Sequence, residues 1–225
     1  MGWHLKIFVL RLFDYFIRIP ICLLRFLACL FWVKSFPGKN KFLRWISGLI
    51  LLSVDLTPVP FLIECIIGWL KVKTRPLQAH EKMIAASVFA KSLPLNLIAM
   101  DPASIPAKKK WTVAYTMLHT INYDGSIPNE TFVHELVHVW QYRREGSLYI
   151  SESIWAQKWG GGYNYGGIAE LQQKQMKGLS AFNFEQQGEI VEDYYRLKNN
   201  LPLQWSANEP GLEELLNSYI QKLSI

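Results

Sequence analysis

Residues 3–33 carry an unusual pattern. Leucine, isoleucine, phenylalanine, valine and tryptophan fill most positions, while Arg11, Arg18 and Arg25 recur every seventh residue, with His4 ahead of them and Asp14 between. At 100° per residue these polar groups fall on one narrow stripe of a helix. Pro20 should kink that helix or begin a new one. Residues 46–70, ISGLILLSVDLTPVPFLIECIIGWL, form the most apolar stretch, broken in its middle by Asp55, Pro58, Pro60 and Glu64. The whole is long enough to span a bilayer, but each half is about ten residues and too short to cross alone. The pattern therefore predicts a re-entrant or interfacial helical hairpin.

At Arg75-Pro76 the pattern changes to that of a soluble domain. Residues 78–91 read as a helix, 95–100 as a strand, and 111–123 as one or two strands rich in Thr, Val, Ile and Tyr. Asp124-Gly125 marks a turn. A helix follows from about 126–129, with Pro128 in its first turn, Arg143 and Arg144 in its last, and Gly146 as its stop. Further helices are expected over about 150–159, from about 168, over 183–198 and over 211–225. Asn183 and Gln186 stand at the capping-box positions of the third of these. A glycine-rich loop, 160–167, lies between the first two and reads either as a lid or substrate edge or as a surface turn. The expected architecture is α+β: an all-helical apolar segment, 1–75, ahead of a domain of helices and a small sheet, 76–225.

Charge sharpens the division. The chain of 225 residues has a net charge of +6, but residues 1–75 hold 11 Lys/Arg against 3 Asp/Glu, and the remainder 13 against 15. A basic excess interleaved with apolar runs points to an anionic membrane surface and away from nucleic acid. Downstream, Lys108-Lys109-Lys110 reads as a solvated loop. The striped helix fits the interfacial layer, its arginines reaching headgroups. The alternative is a helix packed in protein, with Asp14 pairing Arg18. Lys34, Lys39, Lys41 and Arg44 precede the most apolar stretch, and Lys71, Lys73 and Arg75 follow it, which places both flanks and the downstream domain on the cytoplasmic side. Charges interrupt the apolar run and no small-x-small site follows it, so a cleavable signal peptide is not expected. Cys22, Cys29 and Cys65 all lie in this third, so no disulfide framework is expected, and a reducing compartment or burial in lipid fits them.

The chemistry is concentrated at residues 134–138, HELVH. His134 and His138 are four apart, so both imidazoles leave one face of a helix, the geometry for two ligands of a tetrahedral Zn2+. Glu135 is rotated about 100° from His134, beside a metal and not on it, where it can serve as general base. Phe132, Val133, Leu136, Val137, Val139 and Trp140 make the rest of this helix apolar. Gln141 lies one turn beyond His138 and is a candidate hydrogen-bond partner behind the metal ligands. The continuation with Gly at 141 and His at 144 is excluded, because Gln141 and Arg144 stand there. A third ligand from a later helix is offered by NFEQQGEIVEDYY, residues 183–195, in two ways. Either Glu185 binds, with Glu189 one turn later supporting a histidine, or Glu189 binds, with Asp193 in support. The first is preferred. Gly188 would let the two helices approach closely, and Glu185 lies in a first turn, where a carboxylate is favoured. Tyr163, Tyr165, Tyr194 and His119 are candidate electrophiles that the sequence does not rank.

The runs TFVHELVHVWQY and FNFEQQGEIVEDYY resemble a group of bacterial zincin-like metallopeptidase domains found beside secretion-system and toxin-delivery components. More loosely, Glu185-Gln186-Gln187-Gly188-Glu189 resembles the ExExD-type helix of membrane-linked gluzincins, with Gly188 where Ala is usual and Glu189 where Asp is usual. Over residues 75–200 the resemblance implies a zincin-like fold, zinc on His134, His138 and Glu185, catalysis by Glu135, and a peptide or protein substrate. The alternative it leaves open is a non-catalytic zincin-fold component of a membrane or secretion machine. Residues 1–75, the part expected to meet membrane lipids, are outside the resemblance.

Overall fold

The computed structural model describes residues 2–31, 40–71, 73–109 and 112–224. Expectations for residues 32–33, Lys34, Lys39, Lys110, Trp111 and residue 225 lie outside the described residues. The architecture is α+β. Helix α1 (Gly2–Phe31) runs through Pro20, which costs it one N–H bond but does not end it. Helices α2 (Lys41–Asp55) and α3 (Val59–Leu70) meet at a 73° bend, so the apolar stretch forms an elbow and not a closed hairpin.

Four short strands form the sheet: β1 (Arg75–Pro76), which the sequence pattern does not predict, β2 (Ala99–Asp101), at the end of the strand expected over 95–100, and β3 (Ala114–Met117) and β4 (Thr120–Tyr123), within the expected 111–123. Their spatial order is β1-β2-β4-β3; β2 and β4 are parallel and the outer pairs antiparallel. Ala114 faces Tyr123 and Met117 faces Thr120 across the β3–β4 hairpin, which leaves β3 as an outer strand. The helices of this part are α4 (Ala79–Phe89), α5 (Ile105–Lys108), α6 (Asn129–Glu145), α7 (Leu148–Trp159), α8 (Gly167–Lys174), α9 (Phe184–Lys198) and α10 (Leu212–Gln221), with 3-10 turns at Gln175–Ala181 and Lys222–Ser224. Helix α6 is the centre of the core. Val133, Leu136, Val137 and Val139 are fully buried and share one cluster with Ile121 of β4, Ile190 and Val191 of α9 and Leu216 of α10. Their burial fixes α6 against both the sheet and α9.

The division expected at Arg75-Pro76 falls inside β1, and the segment before it is bonded to the domain by its polar stripe. Ile7, Arg11, Asp14, Arg18, Cys22 and Cys29 are the buried side of α1. Arg11 donates to Leu97 O at 2.9 Å and lies 3.2 Å from the Glu64 carboxylate. Arg18 donates to Tyr142 O at 3.0 Å and stacks 4.0 Å over the Tyr142 ring. Arg25 pairs with Glu145, Arg44 with Glu152, and Asp14 with Arg143 of α6, not with Arg18. Asp55 accepts from both the N–H and the hydroxyl of Ser147 at 2.6 Å.

The arginines expected to reach headgroups therefore face protein. The physical reason is that Arg18 and Arg25 meet the last turn of α6, with its carbonyls, Glu145 and the negative end of the helix dipole, while Arg11 meets Leu97 O and the Glu64 carboxylate. The apolar sides of the three helices are left outward. Phe13, Ile17, Leu24, Phe31, Leu43 and Leu70 are each more than 60% exposed. Among the described residues no single helix is long and apolar enough to cross a membrane.

Candidate metal centre

The turn of α6 between His134 and His138 places their rings edge to face, with centroids 5.1 Å apart. The third group comes from α9. Asn183 caps that helix by accepting from the Gln186 N–H at 2.8 Å, and Gln186 returns a bond to the Asn183 N–H, as the capping-box pattern predicted. The cap puts Glu185 in the first turn, aimed at α6. Its Oε2 lies 3.4 Å from His134 Nε2 and 3.6 Å from His138 Nε2. The three donor atoms fall within 4.8 Å of one another, and all three residues are buried. Gly188 makes the approach possible: a Cβ there would lie 2.6 Å from the His134 ring.

The donor set fits a metal ion. Two imidazoles and a carboxylate converge from two helices, and Gln141 behind His138 holds the Nε2 lone pair of that ring toward the common point. His138 Nδ1 lies 2.8 Å from Gln141 Oε1, and Gln141 in turn donates to Phe184 O and Gln187 Oε1, which fixes its amide. His134 Nδ1 lies 3.3 Å from Glu189 Oε1 and 3.5 Å from Glu192 Oε2, neither aligned as a full hydrogen bond. The electrostatics agree. Burial alone would lower the proton affinity of His134, but Glu185, Glu189 and Glu192 outweigh it and hold the ring well above its ordinary pKa. Burial would likewise raise Glu185, yet His138 and His134 keep it well below the ordinary carboxylate range.

Glu135 stands beside this cluster. Burial pushes its pKa up. The Thr116 hydroxyl of β3 donates to Glu135 Oε2 at 2.7 Å, so the outer strand orients the carboxylate. The cleft in front is about 700 Å³ and is lined by β3, α6, α7 and α9, with Tyr163 at its edge.

Of the candidate electrophiles, Tyr163 alone is brought to the cluster, its ring centroid 6.1 Å from that of His134. Burial, and next the Glu185 charge, push its phenol up to about 12. Tyr165 is buried and donates to Asp193. Tyr194 packs against the main core, with Lys198 near its ring. His119 bonds Glu64 on the other side of the sheet hairpin.

Neither a family model, a curated protein nor a solved structure matches this chain.

The two options for the third ligand separate in space. Asp193 turns away from the histidines and accepts from Tyr165 and from the N–H groups of Gln204 and Trp205, so it pins the following loop. Glu189 lies behind His134 and also accepts from the Trp205 indole at 2.6 Å. A carboxylate behind His134 is what the first option expects of Glu189, while His134, Glu189 and Glu192 also form a second buried group that could hold a metal ion. The glycine-rich loop is tied down: Asn183 donates to Gly160 O and Gly162 O, and Gln186 to Asn164 O. Glu192, Thr116, Gln157 and Gln187 escaped the sequence reading. Glu192 had a signal, since 185, 189 and 192 follow a helical repeat. Gln157, which donates to Glu185 Oε1 at 3.1 Å, and Thr116 come from separate elements and had none.

Proposed function

We propose that this chain is a membrane-associated zinc metallopeptidase of zincin-like fold, with His134, His138 and Glu185 as metal ligands and Glu135 as general base. The observation that carries the reading is the convergence of the two Nε2 atoms and Glu185 Oε2 beside Glu135 on the wall of an open cleft. A zinc ion held there would supply Lewis acidity, polarising a carbonyl and making water a nucleophile near neutral pH.

The chain's own groups do the rest. The edge of β3 turned away from β4 offers backbone hydrogen bonds to an extended peptide as far as Tyr149, whose hydroxyl already bonds Thr116 O and the Leu118 N–H. Glu135, steered by Thr116, takes a proton from the attacking water and delivers it to the departing amine nitrogen. The Tyr163 hydroxyl, which keeps its proton at neutral pH, can donate to the oxygen on which charge develops. A closed, structural zinc site needs a fourth protein ligand. His119, the candidate for it, is engaged by Glu64 instead, which favours catalysis.

The outward apolar sides of the first three helices support the membrane-associated part of this reading. The three carboxylates among residues 2–70, Asp14, Asp55 and Glu64, are all buried and bonded inward. What faces outward is apolar, with exposed Lys6, Lys41 and Lys73. Such a surface suits shallow insertion into an anionic leaflet without crossing it. The test is elemental analysis and peptide hydrolysis on the full chain. One zinc in the wild type, its loss in Glu185→Ala, and its retention without hydrolysis in Glu135→Gln are expected. Wild-type protein without zinc, or an active Glu135→Gln, would overturn the assignment.

A further inference from the structure

A second cavity, about 230 Å³, lies in the crook of the α2–α3 elbow where it faces the β3–β4 hairpin. Leu51, Val54, Ile63 and Ile67 form its helical wall and Met117 and Leu118 its floor, so its lining is mainly apolar. Two charged residues reach it, and both are already neutralised. Glu64 is held by Arg11 and His119, and Lys71 by Asp101 at 2.6 Å and Asn122 at 2.8 Å. The cavity therefore offers no free charge to a headgroup, a phosphate or a charged side chain. It is suited to an uncharged apolar group.

Its position gives it a use. Tyr115, Met117 and Ile150 line both this cavity and the metal cleft, so one wall separates and joins the two spaces. That wall is the outer strand. Side chains alternate along a strand, and here Thr116 is turned to Glu135 while its neighbour Met117 lines the elbow cavity. A peptide paired along β3 up to Tyr149, whose hydroxyl holds Thr116 O and the Leu118 N–H, alternates in the same way, one side chain toward the metal cluster and a neighbour toward the elbow. Outside the cavity the elbow continues as exposed apolar surface, with Leu62, Ile66 and Trp69 each at least 38% exposed.

We propose that the elbow cavity is a specificity site for a large apolar side chain close to the scissile bond, and that the substrates are peptides with a hydrophobic segment presented at the membrane face. The inference rests on the hydrolytic reading above for its substrate, but the cavity can be tested without turnover.

Gly68 supplies the tool. It lines the cavity, and a Cβ there meets nothing within 4 Å, so Gly68→Phe fills the space from a helix that tolerates a side chain. Full-length, zinc-loaded wild type and Gly68→Phe in neutral detergent micelles are given an equimolar peptide library, and the cut sites are read by mass spectrometry. Wild type should prefer a large apolar residue at one fixed place near the bond, and Gly68→Phe should lose that preference about tenfold or more while still cutting peptides with a small residue there. An unchanged preference overturns the proposal. In parallel, N-acetyl-phenylalaninamide is titrated onto zinc-loaded Glu135→Gln, with and without Gly68→Phe, and followed by magnetisation transfer from the Met117 methyl to the phenyl ring. Transfer lost on adding Gly68→Phe supports the site. No transfer in either protein overturns it, even if peptides are cut. Transfer that depends on Gly68, with no peptide cut by wild type, retains the cavity as an apolar-ligand site and removes the hydrolytic reading alone.

Discussion

Gly188 of α9 lies against the imidazole of His134, with no room for a methyl group between them: a Cβ at 188 would fall 2.6 to 2.8 Å from three ring atoms. The ring is held on its other sides by Glu185, Glu189 and Glu192, so it has no easy retreat. Gly188→Ala is expected to separate α6 from α9 or to turn His134, at a cost of about 1–3 kcal/mol in stability. Zinc affinity should fall about 10- to 100-fold, the loss typical when the support of a ligand is disturbed. Thermal unfolding and competition with a chelator measure the two effects. Wild-type affinity in Gly188→Ala would show that the ring is free to move and is not held by this contact.

Thr116 gives a cleaner separation of base positioning from metal binding. Thr116→Val keeps the shape of the strand residue and removes the hydroxyl that bonds Glu135. A hydrogen bond to a charged group contributes about 1.5–3 kcal/mol. The expected result is a fall in kcat of roughly 10- to 100-fold, with zinc content and KM close to wild type. A fall in zinc content instead would place Thr116 among the groups that shape the metal site.

Arg11 and Glu64 are 4% and 3% exposed at their side chains and 3.2 Å apart. Removing one partner leaves the other charged and buried, which costs about 3–5 kcal/mol. Glu64→Met and Arg11→Met should each destabilise the full chain on that scale. The double variant should recover much of the loss, because two apolar side chains need no partner. Equal and additive losses in a denaturant-unfolding cycle would show that the two residues act independently.

His119 makes the same interface sensitive to acid. Three charged groups face it: Glu64 of α3, and Asp14 and Arg11 of α1. Burial holds its pKa below the ordinary value of 6.5, against the pull of Glu64. In the window below 6.5 the unfolded chain binds a proton that the folded chain refuses, so stability falls as pH falls. Glu64 works in the same direction. Burial alone would raise it, but Arg11 and His119 hold it below its ordinary 4.5. Its contribution is present above that value and is lost as pH falls through the depressed one. His134 and His138, whose proton affinities are raised, act in the opposite sense in this window, so the difference between wild type and His119→Gln isolates the effect. Chemical denaturation from pH 7.5 to 5 should show wild type losing stability relative to His119→Gln; a difference that does not change with pH would mean that His119 keeps its ordinary proton affinity in the fold.

Much of the candidate site could be read from spacing alone. His134 and His138 must share a face because a helix turns once in 3.6 residues, and Asn183 with Gln186 set where α9 begins, and so where Glu185 and Glu189 point. Local chemistry also placed most of the helices and the short strands, to within a few residues. The sequence likewise carried the seven-residue period of Arg11, Arg18 and Arg25, but not the partner that the stripe would meet. A row of arginines is satisfied equally by lipid headgroups and by carbonyls and carboxylates at a helix end. The packing of α1 against the last turn of α6, and of Arg11 against Leu97 and Glu64, decided for protein, and thereby turned the apolar side outward. The positions of Glu185 and Glu189 around His134, the hold of Thr116 on Glu135, and the elbow cavity beside β3 belong to the tertiary structure for the same reason. Each depends on distances between elements far apart in the chain, and periodicity within one element carries no information about them.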